Sequence, residues 1–255
     1  MPAARVPRVV TAANPSPMTL AGTQTYLVGR SRVAVIDPGP ALSAHLQAIA
    51  DAVGDVPAEI LLTHGHPDHA AGAAALAQRL GAPIRSAASG LAEGQRFMTD
   101  AGDLVAVPTP GHTPDHYAFH WPDARAVFVG DLMMGGQDTT LVAPPEGDLG
   151  VYLSSLDRVR ALDARILYPA HGPAFEDGDT AIADYVAHRR DREVQVVAAL
   201  QEGPLSVDAL VDAVYGAELE ARLRAAARGA THAYLRHLKE QAMVAPSDGG
   251  WALIP

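Results

Sequence analysis

Thr63-His64-Gly65-His66-Pro67-Asp68-His69 places three imidazoles and a carboxylate within six residues, directly after the apolar run Ile60-Leu61-Leu62. That run reads as a buried strand, and in extended backbone two residues spaced by two share one face. His64 and His66 therefore point the same way, and Asp68 and His69 fall on the turn that leaves the strand. Nitrogen and oxygen ligands at a strand end suit a borderline divalent metal. Zn²⁺ is the favoured ion, with Mn²⁺ and Fe²⁺ compatible.

Three further candidates stand in the same kind of place. His112 follows the strand Leu104 to Val107 and a Pro-Gly pair, Asp131 follows Ala126 to Val129 and Gly130, and His171 follows Ile166-Leu167-Tyr168. Small residues beside each one let backbone and metal approach closely. A lone histidine at a strand end is more often a surface or satisfied core residue, but the ordered set favours a metal centre. Two divalent ions about 3.5–4 Å apart share a water and lower its pKa toward about 7. Such a hydroxide attacks an electrophilic carbonyl or phosphorus.

The elements that position these residues interleave strands and helices, which predicts an α/β layered domain. Thr25 to Val28 and Arg32 to Ile36 flank a Gly29-Arg30-Ser31 hairpin signal. Leu42 to Val53 has helical spacing, His69 to Leu80 reads as a helix stopped by Gly81, and Tyr117 to Trp121 is a further strand. Val151 to Leu162 reads as another helix. The last 80 or so residues change character. Helices are expected over Thr180 to Leu200, over Ser206 to Val214, and from Glu218 to Met243 with a break near Gly229. A hairpin follows at Val244 to Ile254. Three helices and a β-wing suggest a winged-helix-like appendage. The expected division is 1–176 for the catalytic domain and 177–255 for the tail.

In order, these residues resemble the metallo-β-lactamase superfamily, marked by HxHxDH followed by His, Asp and His. The resemblance implies an αββα sandwich with a two-metal cleft at one edge. It would put one metal on His64, His66 and His112 and the other on Asp68, His69 and His171, with Asp131 bridging. Asp68 and Asp131 would be the catalytic carboxylates. Asp68 would also orient the bridging hydroxide, and Asp37, Thr113 and His116 would support the ligands from behind. Asp37 alternatively reads as a turn or N-cap residue. Asp131, in a chain with no cysteine, turns the expectation away from β-lactams.

Asn14 to Gly29 is similar to the NPxPxTLxGTNTYLVG opening of the lactamase-β-2-like subgroup, as are Tyr168 to Pro173 and His188 to Glu193. Gln24 replaces the usual Asn, and Gly65-His66-Pro67 replaces a bulkier loop. The subgroup's characterised animal member is a metal-dependent endoribonuclease.

Composition limits the partners. The net charge is −10 with a single lysine, Lys239, and an acidic surface repels phosphate backbones. From Asp177 onward there are eight Lys/Arg against twelve Asp/Glu, whereas a nucleic-acid-binding wing is usually basic. No run of 18 apolar residues or secretory core is present, so a cytoplasmic location without membrane contact is expected. The expected activity is hydrolysis of a small ester, lactone or thioester by a metal-bound hydroxide. Endoribonuclease is the alternative, and a mononuclear iron persulfide dioxygenase or DNA-binding regulator stands behind it. A small-molecule substrate is expected over RNA, with packing or homodimerisation as the tail's role. The loop Gly135 to Gly147 is expected to set specificity.

Overall fold

The structure is a computed structural model describing residues 5–136 and 139–254. The expected specificity loop is therefore described except at Gln137 and Asp138, which lie outside the described residues.

The first half of the chain builds a sheet from β1 (Arg8–Thr11), β2 (Gln24–Val28), β3 (Val33–Ile36), β4 (Ala58–Leu61) and β5 (Ile84–Arg85), in that spatial order. β3 and β4 pair in parallel, and α1 (Ser43–Val53) forms the crossover between them. Such a pairing requires a crossover element, and α1 supplies its buried face with Leu46, Ile49 and Val53. The stretch expected to be one helix after the histidines is two. α2 (Pro67–Ala70) ends before Gly72, and α3 (Ala73–Leu80) begins after it. A Cβ on Gly72 would sit 2.7 Å from Leu46 and 3.1 Å from the Gly39 carbonyl oxygen, so this break lets the chain pass close to α1.

The second sheet runs β10-β9-β8-β7-β6, with β6 at Arg96–Phe97, β7 at Leu104–Pro108, β8 at Tyr117–Trp121, β9 at Ala126–Gly130 and β10 at Ile166–Pro169. α4 (Leu149–Arg160) makes the crossover from β9 to its parallel partner β10. β7 and β9 are each antiparallel to β8, so β7, β9 and β10 all point the same way.

Three buried clusters account for the layers. Tyr26, Val28, Ile36 and Leu61 meet Phe119, Trp121, Phe128 and Tyr168 between the sheets. α1 and α3 cover the outside of the first sheet through Leu46, Ile49 and Leu76. α4 and α5 (Gly178–Ala199) cover the outside of the second, where Leu156 and Ile182 join Val127 and Leu167. The result is an αββα sandwich, as expected.

α6 (Val207–Tyr215), α7 (Ala221–Glu240) and a ribbon of β11 (Val244–Ser247) and β12 (Gly250–Leu253) follow. Leu210, Leu235 and Val244 belong to the same buried cluster as Leu156 and Leu167. α7 is continuous through Gly229, contrary to the expected break. A Cβ there would lie 2.8 Å from the Ala143 side chain, so this glycine serves close packing. Burial of Ala227, Ala230, Tyr234 and Leu238 along one face offsets the helix cost of a single glycine.

Candidate metal centre

Because β3, β4, β7, β9 and β10 point to one edge, their C-terminal ends converge there. Asp37 follows β3, His64 follows β4, His112 lies past β7, Asp131 past β9 and His171 past β10. Asp68 and His69 come in on α2, whose first turn Pro67 opens. Ligand sites at carboxyl ends of strands recur in α/β architectures.

The seven candidate ligands fall into two groups. His64, His66, His112 and Asp131 bring one donor atom each within 4.8 Å of one another, and so do Asp68, His69 and His171. Asp131 lies between them, with Oδ1 3.4 Å from His69 Nε2 and 3.3 Å from His171 Nε2. Its Oδ2 is 3.7 Å from His112 Nε2. Asp68 Oδ2 is 3.3 Å from His171 Nε2 and 3.5 Å from His69 Nε2.

The donor set fits metal ions on an independent ground. His64 Nε2, His69 Nε2, His171 Nε2 and Asp131 Oδ1 are buried without a hydrogen-bond partner. Four unsatisfied polar atoms buried in the two adjoining donor groups would be costly unless cations satisfy them.

The opposite ring nitrogens are mostly engaged, which fixes those rings. His69 Nδ1 donates to Asp37 Oδ2 at 2.9 Å. His112 Nδ1 donates to the Leu141 carbonyl at 2.9 Å. His66 Nε2 donates to Glu146 at 3.0 Å, leaving Nδ1 to face the centre, 3.2 Å from His112 Nε2. Thr63 Oγ1 donates to Asp37 Oδ2 at 2.7 Å and so accepts from His64 Nδ1 at 3.0 Å. These partners select the tautomer that leaves the inward nitrogen free.

Asp37 is held in turn by the Thr63 backbone N–H at 2.8 Å. Its φ of +49° is unusual for a residue with a side chain, and asparagine and aspartate tolerate that region best. His116 sits differently from the ligands: Nδ1 donates to Thr109 Oγ1 at 2.8 Å, and Nε2 accepts the Asp131 backbone N–H at 3.2 Å. It supports Asp131 through the main chain. Thr113 is buried, but its Oγ1 makes no hydrogen bond, so the hydrogen bonding expected of that side chain is not formed. Glu146, which has no motif around it, and Thr63 were not singled out by the sequence. Thr63 was legible only as the residue before the first histidine.

Electrostatics follow from burial. Desolvation drives His64 well below its ordinary pKa, with neighbouring His69 adding to the effect. Desolvation and then His112 push His116 down to about 3, so it is neutral. Burial also disfavours charge on His69, but Asp131 and then Asp37 outweigh it and hold the imidazole well above its ordinary value. Burial opposes charge on Asp131 as well, and His69 overcomes it.

Gln24 tethers the His171 loop: its side-chain amide donates to the Gly172 carbonyl, and its main-chain N–H donates to the Ala170 carbonyl at 2.8 Å. Tyr26, beside it, is core and donates to the Pro169 carbonyl at 2.6 Å. The arginines of α7 offer little free positive charge. Arg222, Arg224, Arg228 and Arg236 all pair with carboxylates. Among the described residues, no helix is long and apolar enough to cross a membrane.

An αββα sandwich with a histidine–aspartate cluster at its strand edge defines a metallo-hydrolase. The chain belongs to the metallo-beta-lactamase superfamily, whose family model matches residues 18–102 and 92–171. It is 34% identical over 235 residues to lactamase-like protein aptB of Emericella nidulans, covering 83% of this chain and 74% of that protein. It is also 34% identical over 233 residues to an atrochrysone carboxyl ACP thioesterase of Aspergillus chevalieri, covering 83% and 73%. Among solved structures, a beta-lactamase domain protein from Burkholderia ambifaria superposes with a TM-score of 0.82 at 23% identity, over 100% of this chain and 95% of that one. TTHA1623, crystallised in a di-iron-bound form, superposes with a TM-score of 0.55 at 28% identity, over 68% of this chain and 96% of that one.

Proposed function

We propose that this protein is a dinuclear metal-dependent hydrolase of small-molecule thioesters, with esters and lactones as chemically related substrates. The observation that carries the reading is Asp131. Its two carboxylate oxygens face two separate donor groups, as a bridge between two ions requires. Zinc is proposed on ligand chemistry, although a similar fold holds two irons.

Divalent ions held by these residues would supply Lewis acidity and a water of lowered pKa. The chain's own residues do the rest. Asp37, Thr63, Glu146 and the Leu141 carbonyl keep His69, His64, His66 and His112 in fixed tautomers. Asp68 is the partly exposed carboxylate of the cluster, with 29% of its side chain accessible. It is the group placed to accept a hydrogen bond from an attacking water and to take its proton. His116 stays neutral and fixes the Asp131 main chain.

The thioester preference is supported by the similarity to a relative named as a thioesterase. The carboxylate-paired arginines of α7 give no support to RNA as substrate. The order of three helices and a β-ribbon supports a winged-helix-like tail from residue 177. The apolar faces of α6 and α7 are buried in one cluster with α4 and α5, the helices that cover the second sheet, rather than presented to a nucleic acid.

The test is metal content per chain together with turnover of a thioester, lactone and single-stranded RNA panel, for the natural protein and Asp131→Ala. Near two metals and thioester turnover lost in the variant are expected. Asp131-dependent RNA cleavage without thioester, ester or lactone turnover would overturn the substrate class, and one iron per chain would overturn the mechanism.

A further inference from the structure

A cavity of about 340 Å³ lies between α5, α7 and the loop that follows Asp131. This volume is in the range of small-molecule sites. Met134 and Leu141 line it from the loop side, and the Leu141 carbonyl is the one that holds His112. Cavity and metal cluster therefore share a wall. The opposite wall is apolar and comes from the tail, with Tyr215, Leu219, Leu223 and Tyr234.

The titratable lining is one-sided. His188, Arg189 and Arg192 face the cavity from α5, and no Asp or Glu lines it among the described residues. In a chain of net charge −10 that is a local reversal of sign. Arg189 is only 4% exposed. Its guanidinium donates to the Thr140 carbonyl and lies 5.2 Å from the centre of the Tyr152 ring, while its Nε has no hydrogen-bond partner. No carboxylate comes within ion-pair distance of it among the described residues. Arg192 stacks 4.7 Å from the Tyr215 ring and bonds the Val214 carbonyl and Gln195, again without a carboxylate. A buried guanidinium without counter-charge is expensive, and folds tolerate one where a ligand supplies the anion. His188 reports the same field: burial, then Arg189 and Arg192, lower its pKa.

We propose that this cavity binds the non-reacting part of the substrate, an aliphatic or aromatic chain that carries a carboxylate, with the chain against Leu219, Leu223 and Tyr215 and the carboxylate on Arg192 and Arg189. That this ligand is the hydrolase's substrate rests on the function proposed above. The existence of the site does not.

The test is calorimetric titration of the metal-loaded protein with decanedioate and with acetate, which offers a carboxylate without the chain. Decanedioate binds at least tenfold more tightly than acetate. Leu223→Trp, which fills the cavity, and Arg192→Gln each remove that advantage, whereas Val194→Ser, on the exposed side of α5, keeps it. Circular dichroism melting confirms that each variant is folded. Equal affinity for the two acids, or an advantage retained in both folded cavity variants, overturns the site. Turnover of the acetyl thioester of N-acetylcysteamine is measured alongside. Turnover without selective decanedioate binding refutes the cavity and leaves the hydrolase standing. Selective binding without turnover of any thioester does the reverse.

Discussion

Asp37 Oδ2 accepts the Nδ1 proton of His69 at 2.9 Å and, through the Thr63 hydroxyl, also fixes His64. A single buried carboxylate at the end of β3 thus orients one proposed ligand of each donor group. Asp37→Asn keeps the size but cannot accept from all three donors. It should weaken metal binding roughly 10–100-fold, read as metal retained after dialysis against a chelator. Unchanged retention would show that the rings are held by packing alone.

Glu146 offers a milder version of the same experiment. It holds His66 from an exposed position, with 59% of its side chain accessible. Exposed charge pairs contribute about 0–1 kcal/mol, so Glu146→Gln should lower metal affinity by less than about tenfold and leave thermal stability within about 0.5 kcal/mol. A loss as large as that of Asp37→Asn would make Glu146 a principal determinant of the site.

Metal loading should depend on pH through His69. The Asp131 and Asp37 carboxylates outweigh burial and hold the metal-free His69 well above its ordinary pKa. A metal that takes Nε2 must then displace a proton. Apparent affinity should rise as pH increases toward that raised pKa and flatten above it, with proton release at neutral pH visible in buffers of different ionisation enthalpy. His69→Asn should abolish that released proton. Loading without proton uptake or release at pH 7 would show that His69 is already neutral.

His116 has the opposite sign. The unfolded chain takes up its proton near the ordinary value of 6.5, while the folded protein refuses it down to about 3. Stability of the metal-free protein is therefore lost as pH falls between those values, by up to about 1.4 kcal/mol per pH unit from this one group. Urea unfolding from pH 7 to 5 should show a shallower decline in His116→Gln. Equal slopes would mean that His116 is protonated in the folded state.

Gly130 is a tight backbone point directly before Asp131. Its φ is +51°, and a Cβ there would lie 2.8 Å from both His116 Nε2 and the Thr63 Cβ. Gly130→Ala should cost about 2–4 kcal/mol from left-handed strain and overpacking. It should also displace Asp131 enough to lower metal content, so a stable variant with full metal content would contradict this packing.

Much of the centre was legible along the chain because each ligand ends a strand or opens the turn after it, and both leave local marks. An apolar run followed by Gly, Pro and His needs no distant residue to be seen. Asp37 was readable for the same reason, through Val35-Ile36-Asp37-Pro38-Gly39. Glu146 was not, because its partner is 80 residues away and nothing around it is periodic. The continuity of α7 is not legible locally, because propensity charges a glycine its local cost, whereas burial of Ala227 and Ala230 on either side of Gly229 decides the outcome.

By itself the sequence picked out the side chains that gather in the candidate metal centre, the strand ends they occupy and the layered class of fold, since local pattern encodes all three. Only the tertiary structure decided that the five strand ends share one edge, that Asp131 turns one oxygen to each donor group, and that Arg189 is enclosed without a carboxylate beside an apolar cavity. Those facts depend on how sheets and helices pack across long stretches of chain. No local spacing carries that information.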